Sequence, residues 1–489
     1  MHPSLPDVSP PRISRPLKAF ALLVVASLGT AVFAEKRTDT GDAPSGEANF
    51  ITLTDTGGDR ATAYAMSNKI VRQDGKYYVT WIDSQRTNHW AAVDEKTGRI
   101  VDEGTVGEER QDNHSGAALV KAPDGTLHLM LGGHFSKLSH YQLPPGETIW
   151  ALVEDGAEIA RTGPGKAPTY PSLTCDDHGT LHLAYRSEPG GHDAALCYCR
   201  RPQDGEWSTP ITLIKNVVKE HSWMHNAIQV DSEGRLHVLA TITLPYARLG
   251  EDARYYGAAH IYSDDGGDTW KQLDNDKPLS TPIAADALYR IEGNGMTASR
   301  TSPTHRGKGG PWHPYVYRMM LSNISLDEHN NPRIIMGNLM DGTAKLWRHT
   351  SDAGWESQEL KHHLDSLVEK SDLPPYRIQH LPCVARLPNG HLQVVLMVSP
   401  IASTGWGADY TRLARLEFDA DLQFQSIEWV AQSNSRDADW IPSLEFYDHR
   451  DPYRTPAMLF TRGRNAGGYS NNVNDVETEV LLQLPAVKD

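Results

Sequence analysis

In the stretch QDNHSGAALVKAPDGTLHLMLGGHF, His114 precedes one short apolar run and His134 follows the next. A little further on, APTYPSLTCDDHGTLHLAYRSE sets Tyr170 and Arg186 at the same two positions of a similar pair of runs. Imidazole and phenol move protons, and a guanidinium grips a carboxylate with two parallel hydrogen bonds. Together they suit β-elimination from a uronic acid. The C5 proton of such a sugar is α to the carboxylate, and neutralising that carboxylate stabilises the enediolate that forms when the proton leaves. A base takes the C5 proton, an acid protonates O4, and the product carries a 4,5 double bond. No carboxylate pair stands out near these residues, which weakens an ordinary glycosidase. No G-x-S-x-G or H-E-x-x-H motif is present.

For the four side chains to meet, the chain must repeat. VRQDGKYYVTW, KAPDGTLHLML, CDDHGTLHLAY, DSEGRLHVLAT, LDEHNNPRIIM and RLPNGHLQVVLM centre on Gly75, Gly125, Gly179, Gly234, Asn331 and Gly390, and FYDHRDPYRTPAMLF is a weaker seventh near Asp451. Each reads as strand, tight turn, strand. Several repeats continue to a turn and a tryptophan, Trp207, Trp270 or Trp355, and SDDGGDTW is an Asp-box turn between outer strands. The spacing leaves room for four short strands per unit, with an insertion between Gly234 and Asn331. The fold class predicted is all-β, a seven-bladed β-propeller, closed by pairing NFITLTD with EVLLQLP. Two stacked β-sandwiches are the competing architecture. On a propeller the start of the first strand and the end of the second share one rim, so His114, His134, Tyr170 and Arg186 converge there. Asn113, His225, Tyr246, Arg248 and Lys137 are candidates for binding substrate at that rim, with Arg254 a further cation for sulfate. His128, His182 and His237 recur at one repeat position, which marks them as packing.

The net charge of −15 with a pI near 5.8 argues against generic nucleic-acid or anionic-membrane binding. Arg12, Arg15 and Lys18 precede the apolar run AFALLVVASLGTAVFA, so residues 1–34 read as a signal peptide. Residues 35–48 read as a disordered linker and 49–489 as the propeller. The protein is therefore expected to be exported, to the periplasm or beyond, free of the membrane after cleavage, and monomeric. His192, Cys197 and Cys199 form H-x4-C-x-C near Cys175. Either a structural zinc links thiolate and imidazole there, or the thiols are simply buried. No cofactor is expected for catalysis.

NHSGAALV with GGHF, and TYPSL with AYRSE, resemble the ulvan lyases of the β-propeller polysaccharide lyase families 24 and 25, and the length is closer to family 25. The resemblance implies a sulfated uronate-containing polysaccharide as partner. It places the family's two active-site histidines on His114 and His134, its tyrosine on Tyr170 and its neutralising arginine on Arg186. His114 is then the base and Tyr170 the acid, with His134 and Arg186 on the carboxylate, or Tyr170 makes both transfers on one epimer. A structural metal in the third blade is also in keeping with the family. The rivals are a glycoside hydrolase on the same propeller, of rhamnosyl-glucuronidase or sialidase type, and a non-catalytic glycan-binding propeller.

Overall fold

Tight turns with one residue in the left-handed region set the repeat. Gly75, Gly125, Gly179, Gly234 and Gly390 have φ between 70° and 85°. In the fifth repeat Asn330, with φ 62°, takes this place, one residue before the Asn331 expected. Asparagine tolerates the conformation better than most side chains. An aspartate three residues earlier holds several of these turns. Asp176 Oδ1 accepts from the backbone N–H of His178 and Thr180 at 2.9 and 2.8 Å, and Asp231 does the same for Glu233 and Arg235.

The computed structural model describes residues 50–110, 112–134, 137–154, 166–188, 194–217, 224–245, 254–273, 275–291, 315–317, 319–339, 341–371, 373, 375–401, 406–431, 437–465 and 476–485. They belong to a compact unit, Ala48–Asp489. Seven separate sheets make a seven-bladed β-propeller with minimal helix. Stacked sandwiches are thereby excluded. Blade 1 runs Ile70–Gln73, Lys76–Ile82, Asn88–Asp94 and Ile100–Val106, and blade 2 runs Ala118–Lys121, Leu127–Leu131, Ser139–Leu143 and Ala151–Glu154. Blade 3 holds Lys166–Cys175, Leu181–Glu188, Ala195–Arg201 and Ile211–Lys215, and blade 4 opens with Asn226–Val230 and Leu236–Pro245. Blade 7 is closed by the expected partners, with Phe50 opposite Gln483 and Ile51 opposite Leu482 in an antiparallel pair. The expected signal peptide and linker lie outside the described residues.

The recurring histidines do pack. His128 Nδ1 meets His140 Nε2 at 3.0 Å, His237 Nδ1 meets His260 Nε2 at 3.1 Å, and His182 Nδ1 meets the Tyr198 hydroxyl at 2.7 Å. The third-strand partner of each pair then packs edge-on against a tryptophan of the next blade: His140 on Trp207, Tyr198 on Trp270, His260 on Trp355. One motif thus ties the two middle strands of a blade together and the blade to its neighbour. The Asp box seats Trp270, which is completely buried. There Thr269 donates to Asp265 from both N–H and hydroxyl, at 2.8 and 2.6 Å.

The seventh repeat departs from the expectation. Its inner strand Ala438–Leu444 and the next, Met458–Asn465, are joined by a long connection, Glu445–Ala457, in place of a tight turn at Asp451. That connection is bonded to five other blades. Arg72 of blade 1 grips Glu445 with two hydrogen bonds of 3.1 and 2.8 Å, and Lys121 of blade 2 reaches Asp451 at 2.6 Å. His449 meets Asp177 of blade 3 at 2.7 Å, and Gln229 of blade 4 donates to the Tyr447 carbonyl at 3.2 Å. Arg386 of blade 6 stacks over the Tyr453 ring at 4.1 Å.

Candidate active site

The rim opposite those turns gathers side chains from the leaders of the inner strands. Asp112, Asn113 and His114 precede Ala118–Lys121, and His134 follows Leu127–Leu131. Asp112 stands between the two imidazoles. Its Oδ1 accepts from the His114 backbone N–H at 2.9 Å and lies 3.1 Å from His114 Nδ1, while Oδ2 is bonded to His134 Nδ1. The rings are 4.3 Å apart. An ionised carboxylate only accepts, so each Nδ1 carries the proton, and the neutral ring keeps its lone pair on Nε2. Burial acts to raise Asp112, but the hydrogen bonds from the two histidines outweigh it and hold the carboxyl below the usual range. Burial, and after it the positive charge of Arg60, push His114 well below the ordinary histidine value, which keeps its ring neutral.

Tyr170 lies where the blade 3 inner strand breaks register, between Thr169 and Ser172, with φ 57°. A bulge of this kind re-aims a side chain, and a bulky residue in the left-handed region is held there by its surroundings. Asn226 donates to the Tyr170 carbonyl at 3.1 Å, and Ser67 donates to that of Pro171. Arg186 faces Thr169 across the ladder, donates to its hydroxyl at 3.2 Å and stacks over the Tyr170 ring at 4.7 Å. It is almost entirely buried, behind the phenol. His225 packs edge-on against Tyr170 at 4.9 Å.

The structure therefore brings together His114, His134, Tyr170, Arg186 and His225. Asn113 is also there, but it donates to Asp59 and so anchors the His114 turn to blade 1. Lys137 is exposed. Tyr246, Arg248 and His192 lie outside the described residues, as does the side chain of Arg254. Cys175, Cys197 and Cys199 are buried and form no disulfide, and they sit in one apolar cluster shared by blades 2 and 3. Burial raises Cys197 to about 12.

Four residues that complete the site carried no recognised signal. Asp112 stood inside the quoted motif, two residues from His114. Asp59, Arg60 and Tyr64 come from the segment before the first inner strand. Tyr64 packs edge-on on Tyr170 at 4.7 Å, against His225 at 5.6 Å and beside His114 at 6.4 Å. Arg60 Nη1 donates to the Tyr64 hydroxyl at 2.7 Å, and its guanidinium lies over Trp406 at 4.8 Å. Two carboxylates are thus present after all, but both are hydrogen-bonded within the protein: Asp112 by the histidines, Asp59 by Asn113. Asp112, His114 and His134 also offer ligand atoms within 4.8 Å of one another, a geometry compatible with a metal ion.

Residues 76–363 match the BNR repeat-containing family. The chain belongs to that family. Among solved structures this BNR-repeat protein is similar to a polysaccharide lyase of family PL25, an ulvan lyase bound to -[GlcA(1-4)Rha3S]-. The TM-score is 0.61 at 11% identity, covering 88% of this chain and 95% of that one. It is also similar to the polysaccharide lyase Uly1, with a TM-score of 0.52 at 13% identity, covering 89% and 99%. At such identities the likeness is one of fold. No curated protein matches the BNR-repeat chain. No helix among the described residues is long and apolar enough to cross a membrane.

Proposed function

We propose that the protein is an exported, monomeric polysaccharide lyase that cleaves ulvan, or a related sulfated polymer of rhamnose and uronic acid, by β-elimination. The observation that carries this reading is the pair of imidazoles on one ionised carboxylate, 4.3 Å apart, beside a phenol backed by a guanidinium. His114, kept neutral by burial and by Arg60, takes the C5 proton on Nε2. Tyr170 gives its proton to O4 as the C4–O4 bond breaks. The electron pair of the C5–H bond becomes the new double bond, and that of the C4–O4 bond stays with the oxygen. Arg186 supplies positive field from behind the phenol, and His134, oriented by Asp112, meets the uronate carboxylate. Each role has a residue suited to it within one cluster, which a hydrolase would not need.

The test is incubation with ulvan while following ultraviolet absorbance of the unsaturated uronate. Absorbance should rise with the unaltered protein and fall to background with His114→Ala. Tyr170→Phe should lose about a hundredfold or more, the usual worth of a positioned acid. New reducing ends without the chromophore would favour a hydrolase. Full turnover by both variants would show that the cluster is not the catalytic site.

A further inference from the structure

Histidine and aspartate meet in several blades, and one arrangement differs from the others. In blade 4, Asp231 Oδ2 lies 3.2 Å from His237 Nε2, and His237 Nδ1 lies 3.1 Å from His260 Nε2. In blade 3, Asp176, His182 and Tyr198 follow the same plan at 3.3 and 2.7 Å. Those groups run in file, and the middle ring spends its two nitrogens on two different neighbours. At the rim, His114 and His134 instead turn their Nδ1 atoms to one carboxylate, Asp112, each on its own oxygen. Ligand atoms of the three residues lie within 4.8 Å of one another, and among the described residues this is the one such group of three or more His, Cys, Asp or Glu side chains. The turn that carries two of them is pinned to blade 1. Asn88 Nδ2 donates to the Ser115 carbonyl at 3.2 Å, and Lys69 donates to that of Ala117. The side chain of Asp112 is 7% exposed and each imidazole 9%, so the group is sheltered yet reaches the rim. Arg60 is bonded to Tyr64 beside His114, and its charge is offset by Asp59, 3.9 Å from its Nε.

We propose that Asp112, His114 and His134 bind a divalent transition ion of the zinc class, and that the bound ion holds the lyase off. Two imidazoles and a carboxylate suit zinc, cobalt or nickel, whereas magnesium and calcium want a shell of oxygens. The ion takes Nδ1 of each ring and a carboxylate oxygen, and water completes its shell. Imidazole ligates in its neutral form, through a lone pair. Each ring therefore moves its one proton from Nδ1 to Nε2. The two hydrogen bonds to Asp112 break, three bonds to the ion form, and no proton is gained or lost. The consequence falls on His114. Its Nε2 now carries hydrogen and cannot take the C5 proton. The ion sits on the Asp112 side of the rings and the sugar on the Nε2 side, so the ion stops the chemistry without displacing the glycan. The binding site stands on the cluster alone, while the switch rests on the lyase reading and gives it a regulator. Turnover is then confined to conditions in which free ions of this class are scarce.

Cobalt(II) is the probe, titrated into the full chain after chelator treatment. A visible d–d band should grow and saturate at one ion per chain. No thiolate charge-transfer band should accompany it in the near ultraviolet, which separates this site from the cysteines of blade 3. Asp112→Asn and His134→Gln should each weaken binding about a hundredfold or more, since even outer partners of a ligand are worth about 10–100-fold. Thermal melting of the metal-free variants shows that they fold, and cobalt should raise the melting point of the unaltered protein alone. With ulvan, turnover should fall in proportion to the fraction of chains that carry the band, with KM unchanged, and return on adding chelator. No band at millimolar cobalt, or a band that survives both variants, would overturn the site. Full or increased turnover by saturated protein, or a rise in KM alone, would overturn the switch. If neither the metal-free nor the loaded protein makes unsaturated product, the lyase reading fails and the switch with it, while the band still decides whether the ion binds.

Discussion

Replacing Asp112 by asparagine tests how far the two imidazoles depend on their shared carboxylate. The side chains are nearly equal in size, so packing is kept and the charge is lost. Asparagine has one oxygen and one NH2 where aspartate has two acceptors. It can accept from one Nδ1–H, but it presents a donor to the other ring, which must shift its proton to Nε2. If that ring is His114, the lone pair needed for the C5 proton is gone. Two charge-assisted bonds are affected, each worth about 1.5–3 kcal/mol. The loss of both spans about 3–6 kcal/mol, which converts to about 10²–10⁴ in rate. The assay is the initial rate of unsaturated uronate formation over a range of ulvan concentrations. Thermal melting of the same samples would show that the variant folds. The expected result is a fall in kcat of that size with KM little changed. A folded Asp112→Asn protein within tenfold of the starting kcat would refute the claim that Asp112 sets the tautomers.

Two further outcomes follow from residues away from the chemistry. Burial lowers Lys69 to about 7, against ~10.4 in an unfolded chain. Between those values the unfolded chain holds the extra proton, so Lys69 makes stability rise with pH across that window and leaves it level below about pH 7. Denaturant titrations at pH 7 and 9 should show a slope approaching ~1.4 kcal/mol per pH unit that Lys69→Met removes; an unchanged slope would contradict a neutral buried amine. Trp270 is completely buried and edge-on to Tyr198 of the preceding blade at 5.2 Å, so Trp270→Ala should cost about 3–5 kcal/mol in the same titrations. A cost below about 1 kcal/mol would deny that the aromatic contact between blades supports the ring.

The architecture was legible because its cause is local. An aspartate or asparagine, a left-handed residue and an alternating run form a hairpin wherever they occur, and six repeats carry that pattern. The seventh is longer because Glu445–Ala457 was shaped by contacts with distant blades, which no short window contains. His114, His134, Tyr170 and Arg186 were legible for a related reason: each holds a fixed place relative to a recognisable hairpin. Arg60 and Tyr64 have no such frame. They precede the first repeat, in TGGDRATAYAMSNK, and reach the site through ring closure, where Thr62 donates to the Ile441 carbonyl at 2.5 Å and Trp440 to that of Asp59. Asp112 was in plain view, but its partnership with His134 depends on a turn geometry that spacing alone does not give.

Under the proposed lyase reading, the long connection of the last blade has a bearing on how a polymer reaches the rim. With Glu445–Ala457 strapped across the far mouth, a glycan cannot run down the axis like thread through an eyelet. It has to lie over the open side, entering and leaving on the same face. The proposed lyase would then ask nothing of chain ends, and could grip a strand of any length in its middle.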